Sequence, residues 1–181
     1  MTRLEMAQKI VNFEAGPDRR DKQGHLKVYL LPKNDSGGKY EVAGICDKHH
    51  PGAFRHLKMM LDSFLWEEAE RYAVDYIARY TDKAALWSND WGVQFFLRDC
   101  AFNRGPGGAA KILQIAVGAK VDGDVGPETR TKIARFNGEE LLKRLRSARE
   151  HYEYNYIGKR EGLDKGLVNR WNNALKVSMN C

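Results

Sequence analysis

A glutamate, Glu14, closes an apolar helical pattern near the N-terminus. The positions before it that follow helical spacing are Leu4, Ala7, Ile10 and Val11. This periodicity predicts a helix over residues 3–14, ended by Gly16, with the Glu14 carboxyl inside the apolar sector. Burial and the negative end of a helix dipole both disfavour a charged carboxylate, so we expect Glu14 to keep its proton near neutral pH and to act as a general acid. The alternative is a glutamate at a frayed helix end that turns to solvent.

Asp99 and Asn103 form a second polar feature, one helical turn apart. They lie in the stretch "DWGVQFFLRDCAFN", which is apolar nearly all round and predicts a central buried helix. A buried carboxylate needs a charged or hydrogen-bonding partner. The sequence therefore predicts a partner for Asp99 without identifying it.

The rest of the pattern predicts a mainly α fold with one small β-hairpin. Two short runs rich in Val, Tyr, Leu and Ile surround "PKNDSGGK" and indicate an irregular hairpin with a Gly-Gly turn. Later segments favour helices: one over residues 51–60, one with Ser63 as N-cap, one restarting after the break "NRGPGG", one with Pro127 in its first turn, and two more toward the C-terminus. With 181 residues, a single domain over 1–181 is expected.

Four segments taken together resemble glycoside hydrolase family 108, the phage-type N-acetylmuramidases. They are Glu14, "DSGGKYEVAGI", "RDCAFNRGPGGAAKILQ" and "VDGDVGPETRTKIARF", and their order is more specific than any one of them. The resemblance extends from Glu14 to "NRWNNAL", nearly the whole chain. The sequence departs from the family pattern after the glutamate, where Ala15, Gly16 and Pro17 replace two glycines, and in the hairpin, where "VAGI" replaces Tyr-Gly-Ile.

The resemblance implies a lysozyme-like helical domain that cleaves the β-1,4 bond between N-acetylmuramic acid and N-acetylglucosamine. Residues 1–104 would hold the catalytic helix, hairpin and central helices, and residues 105–181 a peptidoglycan-binding-like part packed on them. Glu14 would be the general acid, with no cofactor and no metal. Glycoside hydrolysis also needs a second group, for which Asp35 and Glu41 of the hairpin are the candidates, although either can be an ordinary turn or strand residue.

The resemblance also implies substrate-binding residues. Asp99 and Asn103 would line the floor of the cleft, whereas a buried hydrogen-bonded pair that holds the helix to the hairpin is the alternative. Tyr40, Trp87 and Trp91 are candidates for stacking on sugar rings, although aromatic residues at such spacing are also typical of a core. "VDGDVGPET" resembles the wall-binding repeat of other lysins and can equally be a helix-turn-helix support.

Charge and hydropathy indicate which classes of binding partner the protein could have. The 30 Lys and Arg exceed the 24 Asp and Glu, which gives a net charge of +6 and favours encounter with polyanions, including bacterial cell wall. The excess lies mainly in "KRLRSARE" and "KREGLDK", for which the alternative is an ordinary solvated helix face. The N-terminus has no uninterrupted apolar core and no stretch approaches about 18 apolar residues, so no membrane insertion is expected. Together with this absence of a signal peptide, the family resemblance implies a phage or prophage endolysin that is made in the cytoplasm and released to the wall. A monomer is the default expectation.

Other classes of function fit less well. The segment "CDKHHPGAFRH" has no recognised zinc spacing, so no metal site is expected. A non-catalytic peptidoglycan-binding module is the main alternative, motivated by "VDGDVGPET" and by the altered residues after Glu14. A nucleic-acid binder would need a clustered basic helix, which is only faintly present around residues 143–149, and no nucleic acid is expected as a partner.

Overall fold

The computed structural model describes residues 1–33, 35, 37–158 and 165–181. Helices make up 64% of this part of the chain, and the remaining regular structure is one small antiparallel sheet. The predicted class, mainly α with a small β element, is therefore confirmed. The chain divides into two compact units, Thr2–Arg79 and Tyr80–Cys181, the second of which also includes Met1.

The first unit opens with the predicted helix. Helix α1 spans Arg3–Ala15 and begins with a capping box, in which the Glu5 N–H donates to the Thr2 hydroxyl and the Thr2 N–H donates to the Glu5 carboxylate. It ends at Gly16, whose φ of 47° turns the chain and whose N–H donates to the Asn12 carbonyl. Its buried residues are Met6, Ala7, Ile10, Val11 and Ala15.

The predicted hairpin is the first half of a three-stranded sheet. Strand β1 (Tyr29–Leu30) pairs with β2 (Tyr40–Val42), and β2 pairs with β3 (Ile45–Cys46), both antiparallel. The second turn consists of Ala43 and Gly44, both with positive φ, as a two-residue type I′ turn requires. This order makes β2 the central strand, with a neighbour on each side.

Two helices complete the first unit. Helix α2 (Pro51–Asp62) begins with proline at its first position, and α3 (Trp66–Ala85) continues past Arg79 into the second unit. The predicted N-cap at Ser63 is wrong: its N–H donates to the Met59 and Met60 carbonyls, so Ser63 ends α2 instead of starting α3. The reason is that the helix from Pro51 continues far enough to use the Ser63 N–H in its own last turn.

The second unit is helical in the residues described. Helix α4 (Trp91–Val117) has non-helical backbone at Gly105, followed by Pro106, which confirms the predicted break at "NRGPGG". It packs against α5 (Pro127–Ile133), α6 (Gly138–Asn155) and α7 (Lys165–Ser178), and nearly all side chains from Gly92 to Phe102 are buried. No described helix is both long and apolar enough to cross a bilayer.

Candidate active site

Glu14 lies in the last turn of α1, on the side of the helix that carries Ile10 and Val11. Its side chain is half-buried, since the residues on that stripe are buried while the helix end meets solvent. The Glu14 carbonyl accepts a hydrogen bond of 3.1 Å from the Arg19 guanidinium. Glu14 is thus held at its backbone while part of its side chain remains accessible.

Glu41 lies in the middle of the sheet. It stands opposite Tyr29 of β1 and Cys46 of β3, and it is 6% exposed. Its carboxylate forms an ion pair with the guanidinium of Arg19. A carboxylate this deeply buried needs such a counterion, because transfer of an isolated charge out of water is costly.

Two of the carboxyl groups predicted from the sequence, Glu14 and Asp35, act electrostatically on the third, Glu41. Burial raises the pKa of Glu41 from 4.5 to about 7; the Arg19 cation opposes this rise, and the negative charges of Glu14 and Asp35 add to it. Those two charges act on Glu41 only because they lie close to it. Glu14 and Asp35 of the first unit therefore lie within electrostatic reach of Glu41.

Asp35 is exposed in the loop that joins β1 to β2. Its side chain accepts a hydrogen bond of 2.7 Å from the Gly37 N–H, and its own N–H donates to the Pro32 carbonyl. Gly38 follows with a φ of 109°, and a Cβ there would lie 2.2 Å from the Asp47 carboxylate, so only glycine fits. The hydrogen bond from the Gly37 N–H gives the exposed Asp35 carboxylate a defined position.

Arg19 is the site residue that sequence reasoning missed. Besides its bonds to Glu14 and Glu41, its guanidinium lies over the Tyr29 ring at 4.7 Å from the centroid. The available signal was the arginine pair of "GPDRR" directly after the helix stop, which places two cations near the helix end that carries Glu14.

Tyr40, a predicted sugar-stacking residue, is half-buried on β2. Its ring stacks on Phe54 at a centroid distance of 6.5 Å, and the Lys39 ammonium lies 5.1 Å from the ring centroid. Part of the Tyr40 side chain is therefore used in packing within the first unit.

The other predicted binding residues belong to the second unit. Asp99 is fully buried and accepts hydrogen bonds of 2.6 Å from both Arg149 and Arg170, and Asn103 accepts one of 2.8 Å from Arg149. Burial alone would raise the pKa of Asp99, but the two guanidinium groups outweigh it and hold that pKa below its usual range. The predicted need for a partner is confirmed, and Trp87 is also buried.

The segment "VDGDVGPET" is held to α4 by a buried glutamine. The Gln114 amide oxygen accepts from the N–H groups of Asp122 and Gly123, and its NH₂ donates to the Asp122 carboxylate and the Asp124 carbonyl. Pro127 then begins α5 as predicted. The segment thus forms a fixed turn between two helices.

The basic stretch "KRLRSARE" lies in α6, where three of its four cations have acidic partners one turn away, while the fourth, Arg149, is buried against Asp99. These pairs are Lys143 with Glu139, Arg144 with Glu140 and Arg146 with Glu150. Such pairs are typical of a solvated helix face. In the stretch "KREGLDK", residues 159–164 lie outside the described part of the chain.

The histidines of "CDKHHPGAFRH" contact aromatic side chains. His50 forms a hydrogen bond of 2.8 Å with the Tyr76 hydroxyl, and the His56 ring packs on Tyr72. Among the described residues, no group of three His, Cys, Asp or Glu side chains could hold a metal ion.

Comparison with known proteins gives a structural neighbour. No protein-family model matches the sequence, and no curated protein matches it. Among solved structures, the chain is similar to Brucella abortus SagA, with a TM-score of 0.67 and 19% sequence identity over 98% of this chain and 94% of that one. The two proteins therefore share a fold over nearly their whole lengths.

Proposed function

We propose that the protein is a peptidoglycan hydrolase of the N-acetylmuramidase type, cleaving the β-1,4 bond between N-acetylmuramic acid and N-acetylglucosamine. The observation that carries the proposal is that Glu14 and Asp35 lie close enough to the buried Glu41 for their charges to act on it. Glycosidases of this kind use a pair of carboxyl groups in different environments, one as acid and one as nucleophile, base or stabiliser. The resemblance to glycoside hydrolase family 108 supports the same proposal.

Accessibility divides the roles among the three carboxyl groups. A general acid or base must come within hydrogen-bond distance of the substrate, so a catalytic group needs an exposed surface. Glu14 is half-buried at a helix end and Asp35 is exposed in a loop, whereas Glu41 is buried and paired with Arg19. We therefore assign Glu14 as the acid that protonates the leaving oxygen and Asp35 as the group that supports the oxocarbenium-like centre or activates water.

Glu41 then acts on the site through its charge. It holds a proton below about pH 7 because of its burial, and it carries a negative charge beside Glu14 and Asp35 above that pH. The charge state of the carboxyl cluster therefore changes near neutral pH without any change in the groups that touch substrate.

The test is the activity of Glu14→Gln on purified peptidoglycan. Loss of turbidity and formation of new reducing ends are followed for the wild type, Glu14→Gln and Asp35→Asn. Glu68→Gln is the matched control, because Glu68 is exposed on α3 in the same unit. We expect the control to match the wild type and each site variant to lose at least about 100-fold in rate. Unchanged activity of Glu14→Gln would reject its assignment as the acid.

A non-catalytic peptidoglycan-binding module is the second candidate. It is favoured by the rigid "VDGDVGPET" turn, which Gln114 fixes through four hydrogen bonds. A module predicts that wild-type protein sediments with insoluble peptidoglycan and releases no reducing ends. A hydrolase predicts that reducing ends increase with time and that Glu14→Gln still sediments.

A further inference from the structure

Arg19 contacts three elements of the first unit at once. Its guanidinium donates to the Glu14 carbonyl at the end of α1, pairs with the Glu41 carboxylate of β2 and lies over the Tyr29 ring of β1. Its backbone N–H also donates to the Ala15 carbonyl, at 3.1 Å. Arg19 thus binds two of the carbonyl groups that the end of α1 leaves without helical partners.

The chain geometry after α1 makes these contacts possible. Gly16, with its positive φ, ends the helix and redirects the chain, so that Arg19 returns to the helix end four residues after Ala15. The Arg19 side chain is 30% exposed and that of Glu41 is 8% exposed, so the ion pair lies beneath the surface at the boundary between helix and sheet. Salt screens a partly buried ion pair of this kind less than an exposed one.

We propose that Arg19 is a positioning residue for the Glu14 acid: by binding the Glu14 carbonyl and the Glu41 carboxylate together, it fixes the end of α1, and with it the Glu14 carboxyl, against the sheet. This inference rests on the proposed glycosidase function. The position of an acid relative to the bond it protonates controls the rate of the chemical step far more than the affinity for substrate.

The contacts require arginine. A guanidinium presents several donors in one plane and offers a flat face to an aromatic ring, so it can bind a carbonyl and a carboxylate while it lies over Tyr29. A lysine ammonium has the same charge but lacks the flat face and the planar arrangement of several donors. Arg19→Lys therefore keeps the counterion of Glu41 and loses the geometry.

The test compares initial rates on purified peptidoglycan for the wild type, Glu14→Gln, Arg19→Gln, Arg19→Lys and the double variant Arg19→Gln/Glu41→Gln. Arg71→Gln is the matched control, because Arg71 pairs with Glu68 on the exposed face of α3. We expect kcat of both Arg19 single variants to fall by roughly 10- to 100-fold with KM changed by less than about threefold, and we expect the control to match the wild type.

The double variant separates positioning from folding. It removes the buried carboxylate that Arg19→Gln leaves without its cation, so its resistance to urea should return toward that of the wild type while kcat stays low. Recovery of kcat in the double variant would overturn the proposal, because Arg19 would then serve only as a counterion. Wild-type kcat in Arg19→Gln, with Glu14→Gln inactive, would also overturn it while leaving the proposed function intact. A wild type that releases no reducing ends would instead reject the proposed function and, with it, this role of Arg19.

Discussion

Replacing Glu41 with glutamine should change how the stability of the protein depends on pH. In the folded protein the pKa of Glu41 is raised from 4.5 to about 7, chiefly by burial. In the unfolded chain the same group titrates near its ordinary value. Between these two pKa values the folded state therefore binds more protons than the unfolded state, and the free energy of unfolding falls as pH rises.

The size of the effect follows from the same two values. A rise from 4.5 to about 7 corresponds to about 3 kcal/mol of stability that is present below pH 4.5 and lost by the time pH exceeds 7. The glutamine side chain in Glu41→Gln cannot titrate, and the ionisable groups that do not interact with Glu41 cancel in the comparison. We expect the stability of Glu41→Gln relative to the wild type to increase by about 3 kcal/mol between pH 4 and pH 8.

Urea unfolding at several pH values between 4 and 8, followed by circular dichroism, measures this difference. The exposed Glu68→Gln serves as control and should differ from the wild type by less than about 0.5 kcal/mol at every pH. A difference between Glu41→Gln and the wild type that does not vary with pH, or one that favours the wild type as pH rises, would show that Glu41 does not hold its proton to neutral pH.

Two further predictions concern residues that position the fold. Asp99→Asn leaves the cations of Arg149 and Arg170 without their carboxylate, so urea unfolding should show a free energy of unfolding lower by about 3 to 5 kcal/mol. The surface substitution Asp75→Asn should lower it by less than about 1 kcal/mol. Equal losses would contradict the buried ion pair. Gly38→Ala should cost at least about 2 kcal/mol in thermal unfolding, because it combines a positive φ with a clash against Asp47. Gly24 also has a positive φ but open space around it, so Gly24→Ala should cost about 1 kcal/mol. If Gly38→Ala destabilised the protein no more than Gly24→Ala, the close approach of Gly38 to Asp47 would be contradicted.

Local patterns were sufficient to predict most helices and the first hairpin. The spacing of apolar residues before Glu14, the stop at Gly16 and the proline at position 127 depend on neighbours within one or two turns, and the structure confirms each of them. The second turn of the sheet was missed, because alanine at Ala43 is not a residue that signals a turn with positive φ. Ser63 was misassigned because the same residue type suits the start of one helix and the end of another.

The candidate site was predicted in part. Glu14, Asp35 and Glu41 were named from residue type and from a family resemblance, and the structure places Glu14 and Asp35 within electrostatic reach of Glu41. Asp35 is exposed because it lies in the loop before β2, whereas Glu41 lies on β2 and is buried. Strand alternation alone did not show whether Tyr40 or Glu41 would be the buried one. The role of Arg19 depends on the turn after α1, which returns it to the helix end.

The partners of Asp99 illustrate a different limit. A carboxylate in an apolar helix predicts that a partner exists, but Arg149 and Arg170 are 50 and 71 residues away in sequence. Nothing in local spacing distinguishes these two arginines from the other cations of the chain. Only the packing of α6 and α7 on α4 selects them.

The chemical identity of the cut ends tests the central claim most directly. Purified peptidoglycan is digested with the wild type and with Glu14→Gln, the products are reduced with borohydride, and the fragments are identified by mass spectrometry. A muramidase that uses Glu14 as its acid predicts fragments ending in reduced N-acetylmuramic acid from the wild type and none from Glu14→Gln. Fragments ending in reduced N-acetylglucosamine or in an anhydro sugar, no fragments from the wild type, or equal amounts from both proteins would contradict it.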